Sequence, residues 1–218
     1  LQPRFSLRIA SRWFTGVQAT VLDAKTGIDL AGFIPPLERD TMLVGLGPLV
    51  TYDSRDNRFN PLSGAYSELQ ALLYDERWGS DFNYDKYRLF YNYYLPATAT
   101  ITLAMRVNTI LTDGDVPFFD QPSLSLRGFP AGRYQDEQMI ATEAEARWRF
   151  ADRWSLVGIL GAGRVAEDFD GFADAQTVVS KGVGIRFLAS RKDNVNIGID
   201  YARGPDDDAI YFRVGEAF

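Results

Sequence analysis

Residues 139–150 read MIATEAEARWRF, and from Glu143 onward every second side chain is charged. Glu143, Glu145, Arg147 and Arg149 fall on one face, and Ala144, Ala146, Trp148 and Phe150 on the other. A repeat of two is the side-chain repeat of a β-strand; a helix would repeat every 3.6 residues. Working outward, TITLAMRVN sets Ile101, Leu103, Met105 and Val107 against Thr102, Ala104, Arg106 and Asn108. KYRLFYNYYL sets Tyr87, Leu89, Tyr91, Tyr93 and Leu95 against Lys86, Arg88, Phe90, Asn92 and Tyr94. VNIGIDYA sets Val195, Ile197, Ile199 and Tyr201 against Asn196, Gly198, Asp200 and Ala202. IYFRVGEAF places Ile210, Phe212, Val214 and Phe218 together, interrupted by Glu216.

The pattern predicts an all-β chain of eleven strands, over roughly 3–10, 12–24, 41–54, 64–76, 82–95, 98–111, 139–150, 154–165, 181–189, 194–203 and 210–218. Many exceed the roughly 9–11 residues that a tilted strand needs to cross a bilayer. Links alternate in length. SRKD, ADR and PAT are tight. GPDDDA, AEDFDGFADAQTVVSK and LTDGDVPFFDQPSLSLRGFPAGRYQDEQ are the alternate links, with further ones near Gly79 and over 25–40. SRDNRFNPLSG is the one long link among the tight ones. Short turns at one end and long loops at the other match a transmembrane antiparallel β-barrel, with the tight turns and the C-terminus periplasmic. Such barrels usually have even strand counts. The estimate is therefore about 12 strands, or ten if the first two segments are one.

Composition narrows the function. No run approaches 18 apolar residues, which excludes a transmembrane helix and leaves a barrel open. A net charge of −6 argues against nucleic acid as a partner. With no cysteine or histidine, thiolate chemistry, the usual zinc ligand and the usual general base are all missing. Asp53, Asp56 and Asn57 lack the spacing of a calcium loop and read as a capped turn shaped by Pro61 and Gly64. The acidic runs at 205–209 and at Glu167, Asp168 and Asp170 read as solvated external turns. The expectation is no enzyme, no cofactor and no metal. The competing fold is a soluble β-sandwich or a small lipocalin-like barrel, in which the charged faces would be wet. Period two alone does not say which face is inside.

Two further stretches carry a resemblance. SLRGFPAGRY, residues 125–134, resembles the loop motif of the Omp85 superfamily, the bacterial surface antigen D15 type. YDSRDNRFNPLSGAY (52–66) is similar to a turn and strand start earlier in such barrels, and SDFNYDKYRLFYNYYLP and FRVGEAF follow in matching order. The resemblance implies that residues 1–218 form a bacterial outer-membrane barrel domain that inserts or translocates proteins. An N-terminal strand or an upstream domain of the kind called POTRA would be missing from it. It also implies that the motif loop starts outside and folds back into the lumen, where Arg127, followed by Gly128 and Phe129, meets the wall. Glu145 matches the family's acidic wall position. Gly161, in LGAGRV, stands where the family often has an aspartate, which removes one expected partner. The last strand matches the family's assembly signal through Tyr211, Gly215 and Phe218, with Glu216 breaking its apolar set.

The residues make a separate case for Arg127. An arginine in a narrow lumen is costly unless paired, and its planar fork suits carboxylates. Glu143 and Glu145 face the same side and are the nearest candidates. The implied partners are the lipid bilayer, client outer-membrane proteins and periplasmic factors, with room for a weak homodimer. The alternative function is a passive pore, or a membrane anchor for an upstream enzymatic domain.

Overall fold

The computed structural model describes residues 1–28, 37–130 and 132–216. Eleven strands form one antiparallel sheet in which sequence order is spatial order. They are β1 (Arg4–Arg8), β2 (Trp13–Ile28), β3 (Leu37–Asp53), β4 (Gly64–Tyr74), β5 (Tyr84–Pro96), β6 (Ile101–Gly114), β7 (Gln138–Arg149), β8 (Trp154–Ala166), β9 (Val178–Ser190), β10 (Val195–Arg203) and β11 (Asp208–Val214). The first two segments are separate strands, not one. A tight turn over 9–12 joins them, closed by the Trp13 amide donating to the Ala10 carbonyl at 3.3 Å. β9 starts three residues before its expected position. The expected link over 25–40 falls partly on residues 29–36, outside the described residues.

Each strand pairs with the next in register, as in Glu143 opposite Gly161 and Gly161 opposite Ser180. Among the described residues β1 and β11 pair on one side only, so the sheet has two free edges. It rolls up nonetheless. The β3–β4 link reaches the far side of the sheet, where the Glu216 amide donates to the Phe59 carbonyl at 3.0 Å and the Asn60 side chain donates to Asn194 at 3.1 Å. Inside that link, Asp56 accepts from the amides of Asn57, Leu62 and Ser63, and Asn57 accepts from those of Phe59 and Asn60. The polar row therefore shapes a turn, and that turn crosses one mouth of the rolled sheet.

Burial decides which face is inside. On β7, Glu143, Glu145 and Arg147 are buried, while Thr142, Ala144, Ala146 and Trp148 are exposed. On β10, Asp200 is buried while Ile197, Ile199 and Tyr201 are exposed. On β9, Gly184 and Arg186 are buried while Val183 and Ile185 are exposed. The charged faces point inward and the apolar faces outward, the reverse of a water-soluble sheet. The soluble alternative is thereby overturned: no aqueous β-sandwich buries its arginines and shows its isoleucines to water.

The 23-residue stretch 115–137 between β6 and β7 packs against the inner wall. Val116 and Phe119 pack with Leu43, Tyr74 and Tyr84 on one side of the lumen. Leu124 and Leu126 pack with Met139, Ala141 and Val178 on the other. Asp120 fastens the first half, accepting from Tyr84 Oη at 2.6 Å and from Lys86 Nζ at 2.8 Å.

The inverted polarity predicts an asymmetric mutational response. Leu160→Arg, on the outward face of β8, should destabilise the barrel in lipid by about 2–4 kcal/mol, the usual cost of a cation near the bilayer midplane. Denaturant unfolding in vesicles measures it; a change within about 0.5 kcal/mol, as for ordinary surface substitutions, would mean that water covers this face.

The lumenal arginine cluster

The stretch 122–136 folds as a narrow hairpin. Ser123 and Gln135 form a bridge, the Leu124 amide donates to Tyr134 O at 2.8 Å, and the Asp136 amide donates to Pro122 O at 3.1 Å. Its tip is a four-residue turn in which the Phe129 amide donates back to Leu126 O at 3.3 Å. Gly128, third in that turn, has φ 85°, a conformation that glycine adopts without penalty. A Cβ there would also lie 2.7 Å from the Arg203 carbonyl carbon and the Gly204 nitrogen. The tip therefore seats backbone against backbone on the β10–β11 turn, where the Gly204 amide donates to Gly128 O at 3.1 Å. The Phe129 ring lies over Gly204 and meets Tyr134 edge-on, centroids 5.4 Å apart.

This seating points Arg127 at the inner wall. Its Nε donates to Glu143 Oε1 at 2.8 Å, and its Nη1 lies 2.6 Å from Glu145 Oε1 and 3.2 Å from Asp200 Oδ2. The guanidinium is 5% exposed and the three carboxylates 4% or less, so this is a buried cluster. Burial alone would make the Arg127 guanidinium less basic; Glu145 and Glu143 outweigh that and hold it above the ordinary arginine value.

The cluster continues past the carboxylates. Arg186 grips Asp200 with both terminal nitrogens, at 2.5 and 3.1 Å, and Arg213 Nε donates to the same carboxylate at 2.6 Å. Arg147 donates to Glu145 at 2.7 Å. Glu216 accepts from Arg186 at 3.1 Å and from Asn196 at 2.5 Å, with Arg147 3.8 Å away. Arg106 lies 3.8 Å from Glu143. Each buried charge thus has opposite charges beside it, as low-dielectric burial demands.

The structure brings Arg127 together with both Glu143 and Glu145. Tyr211 faces the lumen, and its hydroxyl accepts the Gly128 amide at 2.8 Å, which ties the loop tip to β11. Gly215 has φ 82°, which breaks the alternation of the last strand. Glu216 therefore turns inward to Arg186 instead of interrupting the outward apolar set as the alternation had it. Phe218 lies outside the described residues. Gly161 is closely surrounded by side chains: a Cβ there would sit 2.6 Å from Ser180 Oγ and 3.2 Å from Glu143 Cγ, so an acid would require Ser180 and Glu143 to shift. The acid missing at that position is made up on another strand by Asp200. The alternation put Asp200 and Arg147 on the polar faces of their strands but did not name them, or Arg186, as partners of the cluster. Among the described residues no group of acids, histidines or cysteines is arranged to hold a metal ion.

The family model described as the Omp85 superfamily domain matches residues 37–218. The chain belongs to the Omp85 superfamily. It is an outer-membrane β-barrel of that type. Among solved structures it is similar to BamA from Haemophilus ducreyi lacking POTRA domains 1–3, with a TM-score of 0.70 over 98% of this chain. Identity is 12%, so the likeness is one of fold, and the chain spans about half (52%) of that structure. No curated protein matches the chain.

Removing the Arg127 guanidinium would strand buried carboxylates. Arg127→Ala should cost about 3–5 kcal/mol in denaturant unfolding and expose the loop to trypsin at Arg133. Arg127→Lys should fall between, since an ammonium lacks the fork that spans several carboxylates. Unchanged stability together with unchanged protease resistance would show that the cluster does not hold the loop.

Proposed function

We propose that this barrel assembles or translocates client outer-membrane proteins, using the free edge of β11 as a template for client strands. The observation that carries the reading is the pairing of that edge with a latch. β11 hydrogen-bonds to β10 alone among the described residues, and in this reading its outer edge is the seam at which client strands pair. An unpaired edge in hydrocarbon is expensive and recruits any strand that completes it. The same strand carries Tyr211 and Arg213, which reach the loop tip and Asp200. Movement of the edge is therefore felt by the plug.

In this reading residues 1–218 act as the membrane-embedded unit. The tight turns and the end of β11 face the periplasm, where clients and periplasmic factors arrive. The chain does no bond-breaking chemistry of its own. A passive open pore fits less well, because residues 115–137 lie across the lumen, with apolar packing against two parts of the wall and a buried ion cluster.

The chain has no cysteine, which makes disulfide trapping free of background. Phe212→Cys, at an outward position on β11, should form mixed disulfides with a client barrel carrying a cysteine in its last strand, while it inserts into vesicles containing this protein. Leu160→Cys, on the unbroken wall, should not. Equal trapping at both positions, or client insertion no faster than in empty vesicles, would refute the proposal.

A further inference from the structure

The two rims of the barrel differ in charge. The long-loop rim exposes Asp113, Asp115, Glu167, Asp170, Asp207 and Asp208. The tight-turn rim exposes Arg8, Arg12, Arg58, Arg153, Arg191 and Lys192. The acids among the tight turns are already engaged: Asp53 with Arg55, Asp56 with turn amides, Asp152 with Arg191 at 3.2 Å, and Asp193 with Ser190 at 2.9 Å. This rim also carries three of the chain's four tryptophans, Trp13, Trp148 and Trp154, all exposed. Tryptophan at that depth marks the headgroup region of a bilayer.

One place on this rim is shaped as well as charged. Outside β8–β11, the side chains of Trp154, Ile185, Phe187, Ile199, Phe212 and Val214 line an almost wholly apolar depression of about 340 Å³. The cross-strand register sets its direction. Trp154, Phe187, Ile197 and Val214 form the row nearest the tight turns, and Ile185, Ile199 and Phe212 the next row inward. Trp154 packs on Phe187, centroids 5.0 Å apart, and closes the outer end. Arg153, the last residue before β8, places its guanidinium over that same Phe187 ring, 5.8 Å from the centroid. Arg191 and Lys192 stand exposed on the next turn. An apolar trough thus runs into the membrane beside the free edge of β11, and cations stand where it meets the headgroups.

We propose that this trough seats an acyl chain of an anionic phospholipid whose phosphate is held by Arg153, with Arg191 and Lys192 completing the headgroup site. The occupant follows from position and charge. The trough faces hydrocarbon, so its filler is an acyl chain. The polar end offers guanidinium forks suited to phosphate oxygens. Arg153, Arg191 and Lys192 outnumber the two nearby carboxylates, Asp152 and Asp193, so the polar end is net positive and favours an anionic headgroup. The inference rests on membrane embedding and not on the assembly reading.

The test is native mass spectrometry of the full chain released from nanodiscs of phosphatidylcholine and phosphatidylglycerol in equal parts. The wild-type chain should carry phosphatidylglycerol in clear excess. Arg153→Gln and Arg191→Gln should each lower that excess on the order of fivefold, the factor for one cation near an anionic surface. Ile199→Trp, which fills the trough and keeps every charge, should lower total bound lipid. Heat-modifiable migration checks that each variant is folded. Equal retention of the two lipids, or selectivity indifferent to the arginine changes, overturns the proposal. So does undiminished retention in Ile199→Trp, which would mean loose headgroup attraction alone. Preferential displacement of phosphatidylglycerol by lipid A would assign the cations to a different source of phosphate and overturn the phospholipid. None of these readouts involves client insertion, so the two proposals fail separately.

Discussion

A single guanidinium, held where water is scarce, organises this barrel. Arg127 has no low-energy position in the lumen except against carboxylates, and Glu143, Glu145 and Asp200 are the ones within reach. To bring it there the chain needs a turn with a left-handed residue, which Gly128 supplies, and a backbone approach that only another glycine tolerates, which Gly204 supplies. The carboxylates in turn need cations when the loop is away, and Arg147, Arg186 and Arg213 stand beside them. Loop, wall and last strand therefore share one electrostatic unit, and a change at any of the three is felt by the others.

The same unit explains how the barrel tolerates an inverted polarity. In a soluble sheet, burial of apolar side chains provides most of the stability. Here the apolar faces look outward to lipid, and the interior is held by ion pairs plus two apolar patches contributed by the loop itself. Such an interior is specific but brittle. Ion pairs at low dielectric gain much from correct geometry and lose more when one partner leaves. The β3–β4 turn adds a second brace at one mouth, through Phe59 and Asn60 to Glu216 and Asn194, and so ties strands far apart in sequence.

Much of the fold was legible because a β-strand writes its two faces in alternate letters. Residues 143–150 show it plainly, and the strand boundaries there and at β8 and β10 follow the alternation to within a residue or two. What alternation does not write is curvature. Which lumenal residues meet across the roll depends on strand tilt and on where the loop lands, so Asp200 and Glu216 were visible as polar letters but not as members of the cluster. Glu216 was hidden for a local reason as well, since the left-handed Gly215 flips the parity of everything after it. Gly161 shows the converse. Its departure from the family's aspartate looked like a lost partner, and only the packing shows Ser180 and Glu143 closed around that position.

The central claim is that Arg127 and the wall carboxylates stabilise the barrel through each other and not independently. A double-mutant cycle on Arg127→Ala and Glu145→Ala, read by denaturant unfolding in vesicles, isolates that coupling from every other effect of the two changes. A coupling of at least about 1 kcal/mol, with the double variant less damaged than the sum of the singles, is the predicted result. Strict additivity would mean that the two side chains, though 2.6 Å apart, act on the fold separately, and the lumenal cluster would then not be what holds the loop.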